Sequence, residues 1–209
     1  MTGNEKFDDQ ELFWRSNFGT DYLDRNNNSS LITANAQLFR KVFSFLDKVP
    51  DSVLELGANI GLNYLGIQEV EPSIDYTGVE INTLAHSELS KLGGTAVLAS
   101  IFEYEPSEQF DLTFTKGVLI HINPERLKQV YETLYKASRK YLLVVEYYNP
   151  TPVEVEYRGH SGKLFKRDFA GEILDMFPNL KLVNYGFCYH RDEFPQDDST
   201  WFLMEKKVT

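Results

Sequence analysis

Between Ser52 and Glu146 short apolar runs alternate with helix-like stretches, and this rhythm restricts the fold more than any other feature of the chain. The runs are Ser52–Leu56, Tyr76–Glu80, Thr95–Ala99, Phe110–Thr115 and Tyr141–Glu146, the last reading YLLVVE. Helical patterns lie between them at 62–70, up to Leu92, and at 124–138, where Pro124 suits a first helical turn. Upstream, Leu31, Ala34, Leu38, Val42 and Phe45 recur at helical spacing across residues 31–47. Strands this uniformly apolar are covered on both faces. Strands alternating with helices build right-handed βαβ units and a parallel sheet.

After residue 147 the rhythm changes. A long loop leads to a helix over 168–176, with Asp168 as its cap. Lys181–Phe187 and Trp201–Glu205 follow, joined by CYHRDEFPQDDS, which is too short for a crossover helix. These two runs are therefore expected to be antiparallel neighbours. The expected fold is a Rossmann-like α/β domain over 31–209. Its seven-stranded sheet is mostly parallel with an antiparallel last strand, and helices cover both faces. Ligands of such sheets bind beyond the carboxyl ends of the strands, near the point where strand order reverses.

A chain of 209 residues with 42% apolar content can bury one compact core and is marginal for two domains. The formal charge of -10 opposes a phosphate backbone, so nucleic acid is a poor candidate partner. The single cysteine, Cys188, excludes an intramolecular disulfide and a multi-cysteine zinc cluster. Acids in the opening MTGNEKFDDQELFWR occupy places where a signal peptide needs an apolar run. No apolar run is long enough to span a bilayer. A soluble cytoplasmic protein acting on a small molecule, without a membrane partner, is expected.

The first strand runs into Gly57-Ala58-Asn59-Ile60-Gly61 and then a helix. Gly57 permits a tight turn and close approach of a ligand, and Gly61 lets the helix pack near the strand. Asn59 tolerates the left-handed conformation better than most residues. Glu80 ends the second strand, near the spacing of ~20 residues at which an acid meets ribose hydroxyls. The bland alternatives are an ordinary strand-end turn and a solvated acid.

Glu55-x-Gly57-x-x-x-Gly61, Glu80 and Phe110-Asp111-Leu112-Thr113-Phe114 resemble the signatures of class I S-adenosylmethionine-dependent methyltransferases. Nicotinamide enzymes more often carry GxGxxG, whereas position 59 here is Asn and position 62 is Leu. Over nearly its whole length the chain is similar to methylases associated with pseudaminic acid and related surface-sugar biosynthesis. The similarity runs through NFGTDYLDRN, LELGANIGLN, FTKGVLIHINPE, VVEYYNPTPVEVEYRGH, LFKRDFAGE and FPQDDSTWFLMEK.

The resemblance implies S-adenosylmethionine as cofactor. Gly57, Ala58, Asn59 and Gly61 would lie against its methionine part, with Glu55 holding that loop and reaching toward the ammonium. Glu80 and Ile81 would take ribose and one adenine face. Ser100, Ile101 and Phe102 follow the third strand, where the class often places an acid against the adenine amine; here that position is Ser100. Lys116 and Val118 would sit beside the methyl-bearing sulfur. Residues 1–30 read as a lid, with Trp14, Tyr22 and Arg25 toward the cofactor and Arg25 matched to its carboxylate. The alternative is a surface helix with Trp14 and Phe18 in the core.

On the acceptor side, His121, His160 and His190 fall after strands four, five and six, and histidine suits a general base. Each could equally be a structural hydrogen-bonder. Glu146 is a further candidate base, or one half of an ion pair, and Tyr147 and Tyr148 are placed to meet an acceptor. The histidines lack zinc-binding spacing, so no metal is expected. Arg158, Lys163, Lys166 and Arg167 form a cationic stretch that could concentrate an anion or be solvated surface. The expected activity is methyl transfer to a hydroxyl or amine of a small, polar, anionic metabolite, such as a nucleotide-linked or acidic sugar. A nicotinamide-dependent oxidoreductase and a non-catalytic cofactor-binding scaffold are the alternatives.

Overall fold

The computed structural model describes residues 9–15, 29–157, 159 and 161–207. Helix α1 (Asp9–Arg15) precedes α2 (Ser29–Phe43), β1 (Ser52–Leu56), α3 (Leu62–Val70), β2 (Asp75–Glu80), α4 (Thr83–Leu89) and β3 (Thr95–Leu98). Then come β4 (Phe110–Lys116), two 3-10 turns, α5 (Leu127–Ala137), β5 (Ser138–Glu146), β6 (Val153–Glu154) and β7 (Phe165–Lys166). The chain continues with α6 (Phe169–Met176), β8 (Leu180–Cys188) and β9 (Ser199–Lys206).

Seven strands form one sheet in the order β3-β2-β1-β4-β5-β9-β8. Strands β1 to β5 are mutually parallel, and β9 is antiparallel to both β5 and β8. The reversed last strand is thus inserted between β5 and β8. Strand order reverses at β1 and β4, so the ligand edge lies above their carboxyl ends.

Side-chain alternation explains why the strands read as unbroken apolar runs. In β5, Tyr141, Leu143 and Val145 enter one core with Phe39 and Val42 of α2. Leu142 and Val144 enter the other, with Val130 and Leu134 of α5 and Ile173 of α6. Each face is buried, so neither set of positions tolerates a polar residue.

Two expectations, the extent of the helix over 31–47 and the form of the long loop, are corrected in detail. Helix α2 ends at Phe43, so Phe45 lies beyond it, exposed and stacked on Trp201 at 5.9 Å. The long loop contains the small antiparallel pair β6–β7, whose strands are too short to carry a periodic pattern. Asp168 caps α6 by accepting from the Gly171 N–H at 2.9 Å. No helix among the described residues is long and apolar enough to cross a membrane.

Candidate active site

The carboxyl ends of β1 to β4, helix α1, the start of α2 and the β8–β9 connection enclose a cavity of about 470 Å³. Its floor is the turn after β1. Gly57 has φ 83° and donates to the Val79 carbonyl at 2.9 Å; Ala58 donates to the same oxygen at 3.0 Å. A Cβ on Gly57 would lie 2.5 Å from Val118 Cγ2, so this position needs glycine both for its backbone angle and for the approach of the β4 loop. Asn59 is left-handed, with φ 49°. The reason for Gly61 differs from the expected helix–strand contact: it has φ 84°, and a Cβ there would lie 2.6 Å from Leu92.

Glu80 ties two turns together. One carboxylate oxygen accepts from the Asn59 N–H at 2.7 Å and the other from the Asn82 N–H at 2.6 Å. Burial raises its pKa, opposed by these backbone hydrogen bonds and by that from Ile81. A carboxylate offers about four acceptor sites, so these bonds leave accepting capacity for a ligand. Asn82 caps α4 through its side-chain oxygen, while its amide donates to the Trp14 carbonyl at 3.0 Å. The N-terminal helix is thereby pinned across the end of β2.

At the end of β3, Ser100 donates its hydroxyl to Glu11 and accepts from the Phe102 N–H at 3.2 Å. Glu11 is buried and also pairs with Arg126 at 2.8 Å, whose guanidinium lies over the Phe102 ring. So the carboxylate missing from position 100 in the sequence arrives from α1. Ile81, Ile101 and Phe102 add apolar lining nearby.

Lys116 and Val118 line the cavity after β4. The half-buried Lys116 ammonium has its pKa lowered by burial, against the pull of Glu55, Asp197 and Glu146. Glu55 lies beneath the site and is not among the lining residues. It accepts from Asn63 at 2.6 Å and from the Tyr76 hydroxyl, and burial lifts its pKa to about 7. Gly61 also stays behind the lining.

His121 is the only proposed base among the described lining residues. Its Nδ1 lies 2.7 Å from the Lys163 carbonyl, which requires the proton on Nδ1 and leaves the lone pair on Nε2. The ring packs between Trp14 and Tyr157, at 4.7 and 5.0 Å, and burial drives its pKa down to about 4. It is therefore a neutral acceptor at neutral pH.

The other acceptor-side candidates lie elsewhere. Glu146 spends its carboxylate on the Val118, Leu119 and Ile120 N–H groups at 2.9, 3.0 and 3.4 Å, fixing the loop after β4. Burial raises its pKa to about 7. His190 pairs with Asp198 at the surface, 2.8 Å away. The Lys166 ammonium sits over Tyr147, Arg167 pairs with Glu172 at 2.7 Å, and Tyr148 packs on Phe202. None of these six is among the lining residues. Tyr22, Arg25, Arg158 and His160 fall outside the described residues. The cavity also gathers Asn35, Asn63, Gln196 and Asp197, none of which sequence motifs single out. One signal for Asn35 was legible. It stands at i relative to Leu38, Phe39 and Val42 on the buried stripe of α2, where a polar residue is out of place.

No family model matches the sequence, and no curated protein matches it at the sequence level. Solved structures do match the fold. The 1,6-didemethyltoxoflavin-N1-methyltransferase of Burkholderia thailandensis, solved with 1,6-didemethyltoxoflavin and S-adenosylhomocysteine, is 15% identical with a TM-score of 0.71. That match covers 94% of this chain and 88% of that one. Magnesium protoporphyrin IX methyltransferase of Synechocystis PCC 6803, solved with bound SAM, is 14% identical at a TM-score of 0.67, covering 98% of this chain and all of that one. The mitomycin 7-O-methyltransferase is 14% identical at a TM-score of 0.68; the match covers 94% of this chain and 60% of that longer one. At such identities the likeness is one of fold, and that fold is Rossmann-like with the reversed strand inserted next to the sheet edge.

Proposed function

We propose that the protein is an S-adenosylmethionine-dependent methyltransferase. Its acceptor would be a hydroxyl or amine of a small, polar, anionic metabolite, in the class of nucleotide-linked or acidic sugars. The observation that carries this reading is Glu80. A buried carboxylate at the end of β2, locked to the Gly57 turn and to the α4 cap, presents spare lone pairs into a cavity at the reversal of strand order. A ribose 2′,3′-diol supplies two donors of the right kind. The solved structures of this fold that hold S-adenosylhomocysteine or SAM support the same cofactor.

The residues present fit that molecule. Ile81, Ile101 and Phe102 offer an apolar surface for an adenine ring beside Glu80. Gly57, bare of a side chain, leaves room for the methionine part, and Val118 and Lys116 border the path toward the acceptor. Bound there, S-adenosylmethionine would supply a methyl group on a sulfonium for transfer to an acceptor lone pair. The chain's own work is to hold the acceptor in line and keep water away. Trp14 and α1 roof the cavity; Glu146 fixes the backbone of the β4 loop. His121 Nε2 can accept a hydrogen bond from an acceptor hydroxyl, take its proton and release it to water. Its low pKa makes it a transient carrier rather than a store. The Lys116 ammonium would meet an anionic or hydroxyl oxygen of the acceptor.

Thermal-shift measurements with S-adenosylmethionine, S-adenosylhomocysteine and NAD test the reading. Stabilisation by the first two and not by NAD is expected. Stabilisation by NAD alone would transfer the site to nicotinamide chemistry, and S-adenosylhomocysteine binding without turnover of any acceptor would leave a cofactor-binding scaffold.

A further inference from the structure

Among the described residues, three buried side-chain polar atoms lack a hydrogen-bond partner: Asn35 Oδ1, Asn63 Oδ1 and Gln196 Oε1. All three residues line the same cavity, although they come from α2, the first turn of α3 and the β8–β9 connection. Asn35 and Gln196 are only 3% and 8% exposed. Two of the amides are fixed in orientation. Gln196 Nε2 donates to the Ala34 carbonyl at 2.8 Å, and Asn63 Nδ2 donates to Glu55 at 2.6 Å. Turning over the Gln196 amide, or that of Asn63 against an ionised Glu55, would set oxygen against oxygen, so the carbonyl is the atom left without a partner. A buried acceptor without a donor carries an uncompensated desolvation cost. Three in one cavity mark a place where a ligand's donors belong.

The sheet order places this cluster. Glu80 and Ser100–Phe102 stand at the β2–β3 end of the cavity, whereas Lys116 and Gln196 stand toward β4 and the β8–β9 connection. Gln196, and with it Asn35 next to its partner Ala34, therefore lie on the far side of the Gly57 turn from the adenosine-type subsite, while Asn63 borders that turn, held on Glu55 of β1. Lys116 shares that end and has no hydrogen-bond or ion-pair partner among the described residues. An ammonium ligand could donate to the amide oxygens but has no lone pair to offer Lys116. Hydroxyl groups donate without charge and offer lone pairs to the lysine in return.

We propose that Asn35, Asn63 and Gln196 form the acceptor's subsite for a polyol, their amide oxygens receiving its hydroxyl protons while Lys116 donates to one of its oxygens. The proposal rests on the methyltransferase reading above and deepens it by naming the acceptor's class.

Calorimetry with S-adenosylhomocysteine and with 5′-methylthioadenosine, which lacks the amino-acid end, comes first. Wild-type protein that binds neither would remove the methyltransferase reading and the subsite with it. Gln196→Met and Asn35→Leu are expected to bind both within about twofold of wild type. A loss above about tenfold for S-adenosylhomocysteine alone would give the oxygens to the cofactor's own ammonium and overturn the proposal. Turnover is then measured with myo-inositol, glucuronate and UDP-glucuronate, and with the hydroxyl-free amines histamine and putrescine. Turnover confined to the polyols is expected, with KM raised about tenfold or more in both variants. Gln196→Glu, which keeps acceptor oxygens but loses the donor to Ala34, should hold KM within about threefold. Four results would each overturn the proposal: turnover of an amine, no turnover of any polyol, an unchanged polyol KM in both variants, or a Gln196→Glu KM as high as that of Gln196→Met.

Discussion

Replacing Glu80 by Gln keeps the side chain's volume and changes one oxygen to an amide nitrogen. In the native site both oxygens are engaged, at 2.7 Å to the Asn59 N–H and 2.6 Å to the Asn82 N–H. The variant can keep one of these bonds, and its new NH₂ faces the other backbone donor. A hydrogen bond to a charged acceptor contributes about 1.5–3 kcal/mol, so the fold should lose roughly that amount. In a domain of this size the melting temperature should fall by about 3–12 °C. Ligand recognition changes separately. The charge-assisted bonding to a ribose diol becomes at best neutral, and affinity should drop about tenfold, or 1.4 kcal/mol. Comparing adenosine with 2′,3′-dideoxyadenosine within each protein cancels the loss of stability. Wild type should prefer adenosine about tenfold or more by calorimetry, and Glu80→Gln by less than about threefold. A variant that melts lower but keeps the full preference would show that Glu80 holds the two turns and never touches the diol.

Three further outcomes follow from the same geometry. Gly57→Ala should abolish measurable S-adenosylhomocysteine binding, since its Cβ would lie 2.5 Å from Val118 and its φ of 83° disfavours any side chain; Val118→Ala added to it should recover only the steric part. Burial raises the Glu55 pKa to about 7, above its ordinary value of 4.5. The native state therefore keeps a proton that the unfolded chain releases, and stability should fall as pH rises from 4.5 to 7, by at most about 1.4 kcal/mol per pH unit. Urea unfolding of Glu55→Gln should lack that part of the slope, and an identical slope would refute the assignment. Residues 9–15 should gain hydrogen-exchange protection with saturating S-adenosylhomocysteine, because Trp14 and Glu11 line the cavity; unchanged exchange would leave α1 as a fixed roof rather than a lid.

The parallel half of the fold was legible because burial on both faces favours apolar residues at successive strand positions, as in Leu142–Val145 of β5. The reversed last strand was legible from a connection too short for a helix, but its insertion between β5 and β8 depends on pairings such as Leu143 with Leu203. Gly57 and Glu80 stood out because backbone angle and strand-end position dictate residue type locally. Glu146 did not reveal its place, since a strand-end acid has the same sequence signature whether it faces solvent or caps three backbone N–H groups. Asn63, Gln196 and Glu11 were illegible for another reason. Each is an ordinary polar residue until the sheet order brings α3, the β8–β9 connection and α1 to one edge. In the basic stretch, Lys166 and Arg167 find Tyr147 and Glu172 close by, pairings that depend on the fold and leave no mark in the sequence.

The most direct test of the cofactor site is a crystal structure with S-adenosylhomocysteine. The ribose diol is expected on the Glu80 carboxylate, the adenine among Ile81, Ile101 and Phe102, and the sulfur beside Lys116 and Val118 with Asn35 and Gln196 still open beyond it. A ligand seated elsewhere, or with its ribose turned away from Glu80, would contradict this placement.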